Sequence, residues 1–343
     1  MTRVVRVAVV GLGNVGRGFL SLMIQKHDVL ASRYGLSLKL TAVADSSGGV
    51  FDGRGIDPET LLQHKTAKGG IGSFPYGGKP GLSPVEIVHR SKADVLLEAS
   101  PVNLQTGQPG LDCVRAALNE GWHVVLANKA PLVLAYRELM RLAHSKNCRL
   151  GFSATVCGAL PVVNIGLRDH VAVRYTKIEG IFNSTSNYIL TAMEAGDSFA
   201  SAVHQAQEEG VAETDPTLDV EGWDTANKLV ILANSVLHFP CTLQDVEVRG
   251  IRGIGPEDLR RARAHGEVVK LLAVALPFGD AYRLSVHPAR LPITHPLAGV
   301  NGWEMGVLWH TDIMGVQFTK VDERGAVPTA AAMLRDAVNL LAV

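Results

Sequence analysis

The sequence predicts an α/β protein with an N-terminal doubly wound domain over residues 1–150 and a second, α+β domain over residues 151–325. In the first part, short apolar runs alternate with helical segments, as in a parallel sheet covered by helices on both faces. In the second part, longer helical segments mix with β-like runs. The tail, residues 326–343, has a proline at a helix start and an apolar stripe. A closing helix is therefore expected to return to the first domain.

Four apolar runs are predicted to form the strands of the first domain, with two helices among them. The first run is rich in valine, which suits a strand buried on both faces. The predicted strands are Arg6–Val10, Leu38–Asp45, Ala93–Ala99 and His123–Ala127, and the predicted helices are Arg17–Lys26 and Leu111–Glu120. The stretch Thr66–Pro84 holds six glycines and three prolines. It is expected to be an exposed, solvated loop, with an active-site lid as the alternative.

The second domain is predicted to contain four helices mixed with β-like runs, one of which is given bounds here. Apolar residues at helical spacing indicate the helices, and β-branched residues indicate the strand. The helices are Tyr188–Glu194, Phe199–Glu209, Thr225–Leu237 and Glu257–Val274, and the strand is Val173–Ile181.

Composition excludes several classes of function. The chain has 33 lysine and arginine residues against 33 aspartate and glutamate residues, so it lacks the charge balance of a nucleic-acid-binding protein. With 47% apolar and 19% charged residues, it can bury enough surface to fold. The best apolar stretch, Leu229–Phe239, is interrupted by polar residues and is too short for a membrane helix. The N-terminus does not have the layout of a secretory signal, so a cytoplasmic location is expected.

A glycine-rich turn, Gly11-Leu12-Gly13-Asn14-Val15-Gly16, follows the first predicted strand directly. The first glycine permits a tight turn, the second lets the backbone approach a pyrophosphate, and the third allows the next helix to pack closely against the strand. The amino terminus of that helix would face the anion. This context predicts a Rossmann-type dinucleotide site that includes Asn14 and Val15. Ser100 and Asn128, just beyond two other strand ends, are further cofactor-binding candidates.

Asp45 closes the second predicted strand, where a carboxylate can bind the adenosine ribose hydroxyls and repel a 2′-phosphate. This position favours NAD over NADP. Asp45 lies 29 residues past Gly16, further than the usual spacing of about 20, so the first crossover must be enlarged. Alternatively, Asp45 only begins a turn, and Ser46 and Ser47 bind the phosphate of NADP, which leaves dual specificity open.

Two lysines lie where chemistry is expected. Lys228 is the only charged residue of the apolar helix predicted over Thr225–Leu237. It is therefore expected to point into the protein or a cleft, with a surface lysine lying along the helix as the alternative. Asp224, four residues earlier, can face Lys228 or cap the helix, and the two roles are compatible. Lys129 follows the fourth predicted strand, at the sheet edge where α/β proteins bind ligands, unless it is a solvated loop residue.

Three runs give the chain its resemblance to a known family: Gly180 to Thr191, reading GIFNSTSNYILT, the acidic run from Ala212 to Leu229, and Ala127-Asn128-Lys129. They resemble homoserine dehydrogenase over nearly the whole chain, and the acidic run is highly specific. The length matches the short form, without an ACT domain or a fused aspartate kinase. The resemblance implies NAD(P)-dependent interconversion of L-homoserine and L-aspartate 4-semialdehyde, a step towards threonine, methionine and isoleucine. It also implies a homodimer formed through the second domain.

The resemblance further implies roles for individual residues. Lys129 and Lys228 would flank the reacting oxygen and act in proton transfer, and Asp224 would orient Lys228. This agrees with the chemistry, because an alkoxide that develops during hydride transfer needs a cation or a proton donor. The residues implied to hold the substrate are Glu213 and Asp219, at its ammonium end, with Thr185 and Ser184.

Two departures from the family pattern concern ion and cofactor binding. Many relatives carry a Glu-Ala-x-Val segment that helps bind a monovalent cation, whereas this chain has Ser153 in place of the glutamate. Any sodium or potassium site is therefore expected to be weak, with the carbonyls of Val156, Gly158 and Leu160 as its candidates. The family's GPGAG-like loop is replaced here by Asp322–Ala330, so its contact with the cofactor is expected to differ.

Two other functions are consistent with a dinucleotide domain. A phosphorylating, aspartate-semialdehyde-type dehydrogenase requires an activated cysteine, for which Cys157 is the candidate, although no histidine lies within twelve residues of it. A non-catalytic sensor would bind the dinucleotide without turnover. The four cysteines show no CxxC pair and the twelve histidines no HExxH motif, so neither a disulfide nor a structural zinc site is indicated.

Overall fold

The computed structural model describes residues 2–342; Met1 and Val343, which fall in the two segments predicted for the first domain, lie outside the described residues. The chain divides into two compact units. The first unit runs to Gly158 and resumes at Ala326, and the second unit runs from Ala159 to Gly325. Each unit contains one sheet, which confirms the predicted α/β class.

A seven-stranded sheet forms the centre of the first unit. Its strands are β1 Arg3–Val10, β2 Leu36–Asp45, β3 Gly48–Phe51, β4 Lys79–Pro80, β5 Val95–Glu98, β6 His123–Leu126 and β7 Leu150–Gly151. They lie in the order β4-β3-β2-β1-β5-β6-β7. β1 pairs in parallel with β2 and β5, and Val10 lies opposite both Ala44 and Glu98. The ends of these strands therefore meet at one edge of the sheet, where open α/β proteins bind their ligands.

Helices connect these strands in the doubly wound pattern. They are α1 Asn14–Gln25, α2 His27–Tyr34, α3 Pro58–Lys68, α4 Pro84–Arg90, α5 Gly110–Asn119 and α6 Ala130–Ser145. α4 begins with a capping box in which Ser83 and Glu86 satisfy each other's backbone amides. α2 lengthens the connection between α1 and β2, which accounts for the wide spacing between Gly16 and Asp45.

The expectation of an exposed loop over Thr66–Pro84 is wrong in one respect, because regular elements run through the stretch, although most of its residues are exposed. α3 extends to Lys68, a 3-10 turn covers Ile71–Ser73, and β4 pairs with β3. Ile71 and Phe74 are buried in the core of the first unit. These two apolar side chains hold a glycine-rich segment against the sheet, because burial of a few large side chains outweighs a local composition that favours a loop.

The second unit is built on a six-stranded sheet. Its strands are β8 Tyr175–Ile181, β9 Val246–Val248, β10 Glu267–Phe278, β11 Ala281–Pro292, β12 Glu304–Thr311 and β13 Val316–Asp322. They lie in the order β13-β12-β8-β10-β11-β9. β10 and β11 form a long antiparallel hairpin, with Phe278 opposite Ala281.

The helices of the second unit include the elements that carry the predicted substrate residues. They are α7 Val162–Asn164, α8 Ser184–Ala195, α9 Phe199–Glu208, α10 Thr217–Val220, α11 Trp223–Ser235 and α12 Pro256–Ala264. The single helix predicted over Glu257–Val274 is wrong, because α12 ends before Gly266 and β10 follows. Gly266 has a φ of +68°, which ends the helix, and the valines and leucines after it suit a buried strand.

The closing helix α13, Val327–Leu341, belongs to the first unit. Its residues Ala330, Met333 and Ala337 are part of the apolar core that also contains β1 and α1 side chains. At Gly18 of α1, a Cβ atom would lie only 3.2 Å from the Ala330 side chain, so the two helices pack closely. The predicted return of the C-terminal helix to the first domain is confirmed.

Candidate functional site

The turn after β1 has the geometry that a dinucleotide requires. Gly11 has a φ of +92°, and a Cβ atom there would overlap the backbone of Ala99 and Ser100. A Cβ atom at Gly16 would overlap the carbonyl oxygen of Gly11, whereas one at Gly13 would meet no described atom within 4 Å. The outer two glycines therefore allow close packing, and the middle one leaves open space beside the backbone, which suits a pyrophosphate.

Helix α1 begins at this turn. Gly13 is its N-cap, and within the described chain no side chain caps the first amides and no acidic residue lies in the first turn. Asn14 is exposed and accepts a hydrogen bond from Arg17 at 2.7 Å, and Val15 is half-buried. Because the free amides and the helix dipole favour an anion, these residues fit the phosphates of a dinucleotide.

Asp45 ends β2 with a buried carboxylate that already accepts four hydrogen bonds. Oδ1 accepts from the Ser47 amide at 2.8 Å and the Ser47 hydroxyl at 2.5 Å. Oδ2 accepts from Lys65 Nζ at 2.6 Å and from the Ile71 amide at 3.2 Å. Burial raises the pKa of Asp45, but the bonds from Lys65 and Ser47 outweigh it and hold the pKa below its usual value. A ribose hydroxyl must therefore compete with these donors, and NAD selection by Asp45 stays a prediction.

Ser100 and Asn128 meet where β5 and β6 end. Asn128 Nδ2 donates to Ser100 Oγ at 3.2 Å, and Asn128 Oδ1 accepts from the Ala130 amide at 2.9 Å. Lys129, next to Asn128, is the N-cap of α6. The structure thus brings two candidate cofactor residues together with the backbone of one candidate catalytic lysine.

Glu98, the last residue of β5, also lies in this region, and no sequence motif marks it as a site residue. Its Oε1 accepts from the Ser100 amide at 2.9 Å and from the Ser100 hydroxyl, while Oε2 has no hydrogen-bond partner among the described residues. Burial raises the pKa of Glu98 to about 7. The available signal was an acidic residue that closes an otherwise apolar strand.

In the second unit, a polar cluster forms between α11 and the end of β8. Lys228 Nζ lies 2.8 Å from Asp224 Oδ2 and donates to the carbonyl oxygen of Phe182 at 2.5 Å. The Lys228 side chain is only 12% exposed, so the alternative of a surface lysine is wrong. Asp224 lies inside α11, whose N-cap is Gly222, so the alternative in which Asp224 caps this helix is wrong too.

Asn183 joins this cluster to Asp219. Its Nδ2 donates to Asp219 Oδ1 at 2.6 Å and to Asp224 Oδ2 at 2.9 Å, and its Oδ1 caps α8 by accepting from the Ser186 amide. We call Asn183, Asp219, Asp224 and Lys228 the Lys228 cluster. In the sequence, Asn183 is marked only as part of the GIFNSTSNYILT motif; its position as the helix cap before Ser184 was the signal available. The cluster offers carboxylates to an ammonium group and a buried ammonium to a reacting oxygen.

The other predicted substrate residues are not all part of this cluster. Thr185 is buried in the first turn of α8 and donates to the carbonyl oxygen of Val211 at 2.9 Å. Ser184 is half-buried and begins the same helix. Glu213 lies in an exposed loop, where Gln207 binds its backbone carbonyl, and its carboxylate forms no hydrogen bond or ion pair with the described residues. The structure therefore does not bring Glu213 into the Lys228 cluster.

Across residues 2–342, no group of three or more histidine, cysteine, aspartate or glutamate side chains is arranged to hold a metal ion. Val156 and Leu160 are buried, Gly158 has a φ of +53°, and the Leu160 carbonyl already accepts a hydrogen bond. Ser153 donates from its amide and hydroxyl to Asp336 at 2.7 and 2.6 Å, so a carboxylate lies beside the position where relatives have glutamate. The weak monovalent cation site stays a prediction.

The cysteines argue against a thiol mechanism. Cys113, Cys148, Cys157 and Cys241 are all buried, and burial raises the pKa of Cys113, Cys148 and Cys241. A nucleophilic thiol needs access and a lowered pKa. Cys157, the candidate nucleophile, is only 1% exposed, so the phosphorylating alternative is not favoured.

None of the helices that the structure describes is long and apolar enough to cross a bilayer.

Comparisons with known proteins point to one family. The model of the homoserine dehydrogenases matches residues 161–338, and that of the glutamate/leucine/phenylalanine/valine dehydrogenases matches residues 2–105. The chain is 37% identical over 335 residues to a homoserine dehydrogenase of Methanocaldococcus jannaschii. The aligned region covers 97% of this chain and 98% of the relative. It is 34% identical over 337 residues to an NAD(+)-dependent homoserine dehydrogenase of Pseudomonas canavaninivorans, with 98% and 96% covered.

Solved structures agree with these relatives. A homoserine dehydrogenase from Thermoplasma acidophilum has a TM-score of 0.86 at 25% identity, with 99% of this chain and 100% of that chain covered. A hyperthermophilic archaeal homoserine dehydrogenase solved in complex with NADPH has a TM-score of 0.85 at 25% identity, with 98% of both chains covered. The similarity therefore runs along the whole chain.

Proposed function

The chain belongs to the homoserine dehydrogenase family, and we propose that it interconverts L-homoserine and L-aspartate 4-semialdehyde by hydride transfer with NAD or NADP. Relatives of nearly equal length at 34% and 37% identity support this reaction. The substrate is a small molecule, and the reaction belongs to the biosynthesis of threonine, methionine and isoleucine. The alternatives of a thiol-dependent dehydrogenase and of a non-catalytic sensor are not favoured.

The Lys228 cluster is the observation that carries the proposal. Oxidation of homoserine removes a proton from its hydroxyl group, and reduction of the semialdehyde returns one to the developing alkoxide. Lys228, held by Asp224 and by the Phe182 carbonyl, is a buried ammonium that can give this proton and stabilise negative charge on the oxygen. Asn183 also donates to Oδ2 of Asp224, the oxygen that lies beside Lys228, so the carboxylate and the lysine are held in position before substrate binds.

Roles for the remaining residues follow from the family resemblance. Lys129 acts with Lys228 in proton transfer, Asp219 and Glu213 bind the substrate ammonium, and Thr185 and Ser184 close around the substrate. The Asn183–Asp219 hydrogen bond supports this assignment for Asp219, because it holds that carboxylate next to Asp224. The exposed position of Glu213 is compatible with a contact that forms only when substrate binds.

The dinucleotide would be held by the turn after β1. Gly11, Gly13 and Gly16 leave room for the pyrophosphate at the start of α1, and Asn14, Val15, Ser100 and Asn128 are the other proposed contacts. When bound, the nicotinamide ring would supply the hydride acceptor for homoserine and the hydride donor for the semialdehyde. One relative is named as NAD(+)-dependent and another was solved with NADPH, so both cofactors are proposed. Asp45 is proposed to favour NAD.

The oligomer proposed is a homodimer formed through the second unit. β13 is an edge strand of the six-stranded sheet, and Val316 and Phe318 on it are exposed. An edge strand with exposed large apolar side chains is a template for pairing with another chain. Light scattering of the purified chain checks the mass: a dimer supports this proposal, and a monomer at micromolar concentration contradicts it.

A spectrophotometric assay tests the proposed function. Purified chain, L-homoserine and either NAD or NADP should produce the absorbance of the reduced nicotinamide without added phosphate. Phosphate-dependent activity that thiol alkylation abolishes would instead support the use of Cys157. Cofactor binding without turnover of homoserine or the semialdehyde would support a sensor. Either result would contradict the proposal.

A further inference from the structure

Glu98 carries a buried carboxyl group that the proposed reaction does not use. Its side chain is fully buried at the end of β5, and the neighbouring strands β1 and β6 place Val10 and Leu126 beside it. Gly110 of α5 backs onto the carboxyl group, because a Cβ atom there would lie 3.0 Å from Oε2. The sheet and α5 therefore enclose Glu98, away from water.

Few ionisable groups face this carboxyl group. β1 and β6 present apolar residues to it, and α5 presents Cys113, whose thiol stays neutral because burial raises its pKa. Lys129 is the ionisable residue at the start of α6, separated from Glu98 by Ser100 and Asn128 in the hydrogen-bonded chain. Burial raises the pKa of Glu98 to about 7, against the smaller opposing effects of the hydrogen bonds from Ser100 and of the nearby Asn128 amide group. The group can therefore gain or lose its proton under ordinary assay conditions.

We propose that Glu98 is a positioning residue whose proton decides, through Ser100 and Asn128, whether the Ser100 hydroxyl offers a donor or an acceptor to the bound cofactor. This inference rests on the proposed function, because it takes Ser100 and Asn128 as cofactor-binding residues. Glu98 itself acts through its neighbours.

Counting the hydrogen bonds at the Ser100 hydroxyl distinguishes the charged and the protonated state of Glu98. When Glu98 is a carboxylate, the single Ser100 hydroxyl proton is donated to Oε1, and Ser100 Oγ accepts from Asn128 Nδ2. One lone pair of Ser100 Oγ is then left as an acceptor. When Glu98 is protonated on Oε1, it donates to Ser100 Oγ, and the serine proton is released to point elsewhere. Ser100 then offers a donor, and no atom has to move far for this change.

The same hydrogen bonds reach the backbone at Lys129. Asn128 donates to Ser100 Oγ with its amide nitrogen and accepts from the Ala130 amide with its oxygen. A change in the hydrogen bonds at Ser100 therefore alters the hydrogen bonding of Asn128, the residue that precedes Lys129. The protonated state of Glu98, with a Ser100 donor, is the one that suits the carbonyl and hydroxyl acceptors of a nicotinamide riboside.

Because the cofactor favours the protonated state of Glu98, binding of the cofactor must be accompanied by uptake of a proton by Glu98. The wild-type chain should bind NADH about 5-fold more tightly at about pH 6 than at about pH 8.5, which is the worth of one hydrogen bond. Calorimetry in two buffers of different ionisation enthalpy should show fractional proton uptake on binding near neutral pH.

Four chains make the test specific: the wild type, Glu98→Gln, Ser100→Ala, and the control Glu59→Gln. Glu59 is an exposed glutamate in the first turn of α3 and belongs to no site described above. Glutamine keeps the shape of the neutral acid but cannot titrate, so E98Q should lose both the pH dependence and the proton uptake. S100A should also lose the pH dependence and the proton uptake, because it removes the hydroxyl that connects Glu98 to the cofactor. This variant keeps the test valid if E98Q does not fold. E59Q should behave as the wild type does.

The outcomes separate this inference from the proposed function. If the reduced cofactor binds all four chains with the same pH dependence and the same proton uptake, Glu98 is only structural and the inference is overturned. If neither NADH nor NADPH binds the wild type or E59Q at any pH, the proposed function fails and the inference fails with it. Retention of the proton uptake in S100A alone would show that Glu98 acts without Ser100, which also contradicts the proposal.

Discussion

The Lys228 cluster and the surroundings of Glu98 both bury a carboxyl group, but only the first supplies a cation. In the second unit, Asp224 accepts from Lys228 and Asn183 at 2.8 and 2.9 Å, so its charge is matched. In the first unit, Glu98 has the neutral donors of Ser100 and one oxygen with no partner in the part of the chain described. The difference shows that partners, and not depth of burial alone, decide whether a buried carboxyl group holds a charge or a proton.

Asp45 strengthens this comparison, because it lies at the same sheet edge as Glu98. Both end strands that flank β1, yet Asp45 has Lys65 at 2.6 Å and a lowered pKa, whereas Glu98 has a raised one. The signs of their pH effects are therefore opposite. Asp45 stabilises the fold above its ordinary pKa, and this contribution is lost as the pH falls through its folded-state pKa. Glu98 destabilises the fold once the pH rises above its ordinary pKa.

The largest effect is expected from removing the cation of the Lys228 cluster. Lys228→Ala should lower kcat for homoserine oxidation by ~10²–10⁴, the range for loss of a general acid–base group, with little change in cofactor affinity. Lys129→Ala should also lower kcat. Steady-state kinetics of both variants, with the exposed Lys68→Ala as the control, measure this. If both K228A and K129A keep more than roughly a third of wild-type kcat, the lysines are not the proton-transfer groups.

Replacing Glu98, the carboxyl group that has no cation beside it, should change the free energy of unfolding in a pH-dependent way. Below the ordinary pKa of a glutamate, Glu98 is protonated in both the folded and the unfolded chain. It then adds no pH-dependent term to the stability. Between that value and about pH 7, the unfolded chain loses the proton and the folded chain keeps it. The wild type should therefore lose about 3 kcal/mol of stability relative to Glu98→Gln over this interval. Urea unfolding at several pH values checks this, and a constant difference between the two chains would contradict it.

Asp45 is expected to have the next largest effect, on the choice of cofactor. In Asp45→Ser the repulsion of a 2′-phosphate is removed and Lys65 is released from its ion pair. The ratio of kcat/KM for NAD to that for NADP should fall by ~10–100-fold, after solvent and ions weaken the Coulomb term. Asp52→Ser, at an exposed ion pair with Arg54, is the matched control. An unchanged ratio in D45S would mean that Asp45 does not discriminate between NAD and NADP.

Glu213 should give the smallest effect. Its carboxylate is exposed and outside the Lys228 cluster, so a contact with the substrate ammonium is screened by solvent. Glu213→Gln should raise KM for homoserine by roughly tenfold or less and leave kcat unchanged, because an ammonium contact is made equally in ground and transition states. Glu208→Gln on α9 is the control. A change in kcat alone would place Glu213 on the proton path.

The comparison also shows what sequence could reveal. The pairing of Asp224 with Lys228 was predictable, because a spacing of four residues puts them on one helix face. Asn183 was not, since its partners lie 36 and 41 residues away and only the fold brings them together. The strand β10 was mistaken for helix because a continuous apolar run fits both. The proton of Glu98 depends on an enclosure by β1, β6 and α5 that no local pattern encodes.

Transfer of deuterium tests the central claim most directly. The chain should be given L-aspartate 4-semialdehyde and NADH or NADPH deuterated at carbon 4 of the nicotinamide, on the hydrogen that the enzyme removes. We expect homoserine that carries one deuterium on its carbon 4, formed rapidly by the wild type and slowly, with the same label, by K228A. Unlabelled homoserine, or none with either cofactor, would contradict the account.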